Sequence, residues 1–123
     1  ESLLSGSDLS GSDLSHSDLE LASLVGVNLS NSDINESGLL AVDLSGADLE
    51  NSNLIRSNLS VANLSRANLS KANLSYSTLS QTNFNGANLN GVIFKQNIKL
   101  RINYEISKKL KKPWNRKSIC SFG

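Results

Sequence analysis

The chain has 123 residues, 38% of them hydrophobic and 19% charged, and 12 Lys and Arg nearly balance 11 Asp and Glu at a net charge of +1. With one His and one Cys it lacks the stock from which nucleophile and base pairs, zinc sites or disulfide frameworks are assembled, and its length suits one domain rather than a two-domain enzyme. Leu, Ser and Asn supply 60 of the 123 residues, which is a repeat composition, and no apolar run reaches the roughly 18 residues that span a bilayer.

Glu1 opens inside a repeat with neither Met nor a leader, which reads as a chain cut from something longer. From Leu4 to Phe94 every fifth residue is large and apolar: sixteen Leu, Ile34, Phe84 and Phe94. Two positions before each stands a small residue, nine Ser, six Ala, three Val and Thr82, and one position before stands Asp or Asn in 14 of 19 units. Each unit therefore reads small-in, polar-out, large-in, polar-out, polar-out.

A period of five fits no helical stripe, since five residues advance about 500° around a helix axis. The small, polar, large triplet alternates as a strand does, with both apolar members on one face. Two further outward residues then demand a bend, for which Ser, Asn and Gly are suited. Such a chain coils around an axis and buries its large and small positions in a narrow tube.

The units Ala47-Asp48-Leu49-Glu50-Asn51, Ala62-Asn63-Leu64-Ser65-Arg66 and Ala67-Asn68-Leu69-Ser70-Lys71 resemble those of the pentapeptide-repeat family, and the likeness covers residues 2–96. The resemblance implies an all-β solenoid, a right-handed quadrilateral β-helix with four units per coil, hence about 4.75 coils; spacing alone does not fix four sides. The N-terminal coil is expected to be the weakest, because its inner small positions Ser2, Ser7, Ser12 and Ser17 are all hydroxyls that need partners. Four-unit coils also align Ser17, Ser37, Ser57 and Ser77 as an internal ladder.

After Phe94 the register fails, so the chain divides into a repeat domain, 1–96, and a basic C-terminal cap and tail, 97–123. Ile98, Ile102, Ile106 and Leu110 recur every four residues, while Ile98, Leu100, Ile102, Tyr104 and Ile106 also alternate. A strand-like exit followed by a capping helix near Asn103 to Lys112, stopped by Pro113, suits both patterns.

Residues 1–50 carry ten acids and no base, while 51–123 carry twelve bases and one acid. From Lys95 to the C-terminus the chain holds a net +8, and Lys108, Lys109, Lys111, Lys112, Arg116 and Lys117 form a candidate contact with an anionic membrane or nucleic acid; a solvated capping face is the competing reading. At a spacing of 20, the corner residues Leu21, Ala41, Val61 and Gln81 are expected along one edge. Leu40 stands beside them and Val25 nearby, giving an exposed apolar stripe and a candidate protein contact. The next edge stacks His16, Glu36, Arg56 and Tyr76 as an ion-pair ladder, read as structural because a rod offers no pocket that desolvates a substrate. Cys120 and the five Asn-Leu-Ser triplets at Asn28, Asn58, Asn63, Asn68 and Asn73 carry no functional signal, the triplets being a by-product of the repeat.

The expectation is a non-enzymatic binding or scaffold module without cofactor, metal or small-molecule substrate, such as an accessory subunit of a larger protein assembly. The resemblance implies a cyanobacterial cytoplasm or a thylakoid lumen or chloroplast. Its alternative is mimicry of DNA toward a type II topoisomerase, as in quinolone-resistance members of the family. A rod of about 23 Å spans only about seven base pairs at 3.4 Å each, and the basic tail opposes that role.

Overall fold

The structure is a computed structural model, and it describes residues 4–95. From Asp8 to Ile93 the outward residue before each large apolar one makes parallel bridges, and each bridge joins that residue to its equivalent four units along the chain. One column runs Asp8, Asn28, Asp48, Asn68, Asn88, and three others start at Asp13, Asp18 and Ser23. Four columns at this spacing give the β-solenoid four sides. The described chain thus winds about 4.6 times, and at ~4.8 Å per coil the rod is roughly 22 Å long. The bridges are isolated rather than parts of long strands, because only three residues of each unit run straight before the chain turns.

At most corners the amide of the small residue donates to the preceding large residue's carbonyl, as Ala47 does to Leu44 at 3.0 Å and Ala62 to Leu59 at 3.0 Å. The third residue of this turn has positive φ at every corner from Gly6 to Gly91, the signature of a type II turn. Twelve of these corners are held by residues other than glycine. At Gly86 an added Cβ would meet the Arg66 Cγ at 3.3 Å, so glycine there also leaves room for the long side chain one coil back.

The 14 Asp and Asn residues at the outward polar position share one task. The Oδ1 of each accepts the amide two residues on, as in Asp13 with Ser15 at 3.0 Å and Asn28 with Ser30 at 3.0 Å. Aspartate and asparagine perform it equally, so the fold leaves the charge of these positions free.

All large positions from Leu24 to Phe94 are buried, whereas Leu9, Leu14 and Leu19 are only partly covered and Leu4 is 42% exposed. The first coil is therefore the less covered end of the described residues. The serine ladder forms as well, but its hydroxyls bond to backbone rather than to each other. Ser37 Oγ donates to the Leu14 carbonyl at 2.9 Å and Ser57 Oγ to that of Ile34 at 2.8 Å, while Ser77 turns back to Leu74 at 2.6 Å. The expected capping helix and tail lie outside the described residues.

Candidate functional site

The corner edge foreseen from the repeat spacing is assembled by the backbone. The Leu21 amide donates to the Leu40 carbonyl at 2.9 Å, Ala41 to Ser60 at 2.9 Å and Val61 to Ser80 at 2.8 Å, so Leu21, Ala41 and Val61 sit on successive coils of one corner. Leu21 is 78% exposed and Val61 52%; Leu40 and Ala41 are half-buried between them. Val25 is exposed on the following corner, ahead of Gly26. On the other three corners the left-handed positions hold Gly, Asn, Tyr and charged or titratable side chains.

Conformation adds to the oddity of this edge. Leu21, Ala41 and Val61 all have φ near +60°, which costs an L-residue about 1–2 kcal/mol, and a β-branched side chain there is a marked outlier. Sequence reading placed these residues outside but missed their left-handed backbone. The signal was present, since Gly6, Gly11, Gly26, Gly46, Gly86 and Gly91 share the same place in the unit.

The neighbouring corner carries His16, Glu36, Arg56 and Tyr76, and its interactions break into two pairs. His16 Nε2 lies 3.5 Å from Glu36 Oε1, an ion pair only when the imidazole is protonated and the one contact of this kind among the described residues, and the Arg56 guanidinium sits 5.0 Å above the Tyr76 ring. The expected continuous ladder is interrupted between Glu36 and Arg56, because Arg56 reaches forward to the aromatic face instead.

Charge follows the rod axis. Up to Glu50 the described residues carry nine acids and no base; beyond it they carry Arg56, Arg66, Lys71 and Lys95 and no acid. The aspartates occupy all four sides: Asp8 and Asp48 on one, Asp13 and Asp33 on the second, Asp18 on the third and Asp43 on the fourth. The carboxyls of Asp8 and Asp13 are held below the ordinary aspartate value, chiefly by the hydroxyls of Ser10 and Ser15 and then by their amides. No group of three or more His, Cys, Asp or Glu side chains suited to a metal, and no helix long and apolar enough to cross a membrane, occurs among the described residues. Lys108, Lys109, Lys111, Lys112, Arg116, Lys117 and Cys120 lie outside them.

Comparison with known proteins agrees with this geometry. The family described as pentapeptide repeats matches with eight copies over residues 2–37, 43–81 and 62–96. Among solved structures, HetL of the cyanobacterium Nostoc, described as involved in heterocyst differentiation regulation, is 32% identical. The match has a TM-score of 0.52 and covers 74% of this chain and 48% of HetL, so the chain spans about half the length of that protein. A pentapeptide-repeat protein of the Arabidopsis thaliana thylakoid lumen is 28% identical with a TM-score of 0.52, covering 87% and 79% of the two chains. A trypsin-treated form of QnrB1, a plasmid-mediated fluoroquinolone resistance protein, shares the fold at a TM-score of 0.64 and 23% identity, over 68% of this chain and 40% of that one. No curated protein sequence matches the chain significantly. Bridges that return to the same side every four units, together with the family's repeats over most of its length, make the chain a member of the pentapeptide-repeat family.

Proposed function

We propose that the protein is a non-enzymatic, right-handed rod that binds another protein through the Leu21, Leu40, Ala41 and Val61 edge, as a scaffold or accessory subunit of a larger assembly. Residues 97–123 act in this reading as the cap and basic tail. One observation carries it: Val61 is a half-exposed, β-branched residue in a left-handed conformation, so neither burial nor backbone preference explains its presence. The kinship with HetL and the Arabidopsis protein supports a home in cyanobacterial cytoplasm or in the thylakoid lumen.

The edge is small. Four such side chains cover roughly 200–300 Å² per partner, against ~800 Å² per side for a standard interface, so flanking polar groups must contribute. The test is the double variant Leu21→Lys with Val61→Lys, analysed for folding by circular dichroism and for complex formation by co-purification from the native source. We expect an intact fold and loss of the complex. Retention at unchanged occupancy overturns the assignment.

A second reading, supported by the net +8 of the segment 95–123, is docking of the tail on an anionic membrane or nucleic acid. Mimicry of DNA fits less well, because the aspartates are spread over four sides rather than ordered in rows along one.

A further inference from the structure

We infer that the partner of the Leu21 to Val61 edge is a second copy of this chain, set antiparallel about a two-fold axis through Ala41. The inference rests on the reading of that edge as a protein contact and names its occupant. Leu21, Ala41 and Val61 follow one another at intervals of one coil, so Ala41 is the midpoint of the stripe. A two-fold axis perpendicular to the rods at Ala41 brings Leu21 of one copy level with Val61 of the other, twice, and closes Ala41 on itself. The stripe is self-complementary in the sense an isologous contact demands.

Charge selects this orientation over the parallel one. Because the described residues are acidic up to Glu50 and basic beyond it, antiparallel rods lay each acidic half beside the other's basic half. The symmetry keeps the His16, Glu36, Arg56 corner facing its own counterpart. Along this seam the order becomes Arg56 of the second copy, Glu36, Glu36 of the second copy, Arg56, each half a coil or about 2.4 Å from the next along the axis, so each glutamate has the other copy's arginine on its outer side and the two glutamates meet at the two-fold axis. Glu36 and Arg56 are the two charges that do not pair with each other within one chain. A parallel pair makes the Arg56 corner face the Arg66 corner instead, at nearly equal height, and sets like charges together.

The contact area places this dimer among weak associations, so covalent trapping is the suitable readout. The full-length chain, with Cys120→Ser, is oxidised at high concentration as three single variants, Leu21→Cys, Ala41→Cys and Val61→Cys, and as a mixture of the first and third. A disulfide needs Cα atoms about 4.4–6.8 Å apart. The antiparallel dimer therefore yields rapid cross-linking of Ala41→Cys and of the Leu21→Cys with Val61→Cys mixture. It yields little with Leu21→Cys or Val61→Cys alone, whose equivalents stand two coils, about 9.6 Å, apart along the axis.

Efficient cross-linking of all three single variants overturns the antiparallel arrangement. So does the absence of cross-linking in every sample, together with a monomeric mass by sedimentation at the same concentration. Glu36→Arg should reduce trapping of Ala41→Cys several-fold, and adding Arg56→Glu should restore it; no change with either denies the charge pairing and with it the orientation. If no dimer forms but Leu21→Lys with Val61→Lys still releases another protein, the edge remains a contact and only its occupant was wrong.

Discussion

The hydroxyl of Ser37 is inserted into the corner turn of the preceding coil. It accepts the Ser17 amide at 3.3 Å and donates to the Leu14 carbonyl at 2.9 Å, taking the place of the direct bond between these two groups that most corners make. The same clamp recurs one coil on, where Ser57 accepts from the Ser37 amide at 3.2 Å and donates to Ile34 at 2.8 Å. Adjacent coils are thus tied by a side chain as well as by their bridges.

Ser37→Ala is expected to cost about 1 kcal/mol, the net worth of one hydrogen bond, rather than the larger penalty of two buried groups left without partners. The turn at Ser17 can close directly, as that at Ala22 does onto Leu19 at 3.1 Å. Urea unfolding of the variant measures this. A loss well above about 2 kcal/mol, the range of unsatisfied buried groups, would mean that the turn cannot close and that the serine is required by the corner's shape.

The fall of the Asp13 carboxyl below the ordinary aspartate value of 3.8 arises first from the Ser15 hydroxyl at 2.6 Å and then from the Ser15 amide at 3.0 Å. A carboxyl whose folded pKa is depressed contributes stability that is fully present above its unfolded value and is lost as pH falls through the folded one. Asp13→Asn should keep both bonds, since Asn28 and Asn68 accept the same pair from Ser30 and Ser70. The variant should therefore lose less stability than the parent as pH falls below about 4. Carbon-detected titration of the Asp13 carboxyl checks the premise; a midpoint at or above the ordinary value means the hydroxyl bond does not persist in solution.

The repeat made most of the fold legible. Leu24 to Phe94 are buried in register, because a five-residue period with no polar residue at the fifth place leaves the chain no other way to hide them. Four sides were accessible only through family resemblance, since the closure of a coil depends on the turn angle and not on spacing. What escaped was the reason for Asp or Asn before most of the large apolar residues: its Oδ1 captures the amide two residues on, a local bond invisible to a hydrophobic pattern. That same equivalence makes the drift from aspartate to asparagine independent of folding. The charge axis is a property of the surface and is open to functional use.

Docking through the basic tail makes a separate prediction. Retention of the protein on heparin or on anionic vesicles should fall steeply as salt rises from about 50 to 200 mM, because each neutralised phosphate releases a counterion. Deleting residues 108–123 should abolish it while leaving the cooperative unfolding of the rod in place. Retention insensitive to both changes assigns the tail to capping alone.

Val61 offers the sharpest separation of stability from binding. Replacing it with Asn installs the residue that Asn31 and Asn51 already place in the same turn position, at φ 59 and 63. Relief of left-handed strain contributes about 1–2 kcal/mol. The partial burial lost with a half-exposed valine costs about 1 kcal/mol. The two nearly cancel, so the unfolding free energy of Val61→Asn should stay within about 1 kcal/mol of the parent. Association through the edge should nevertheless weaken, since a polar amide replaces one of the two exposed apolar ends of the stripe. Chemical denaturation and cross-linking of Ala41→Cys in the Val61→Asn background measure the two quantities independently. Destabilisation by more than about 2 kcal/mol, the scale of a truncated core side chain, would show that Val61 is held by packing on its own rod. A variant that associates as well as the parent would remove Val61 from the contact.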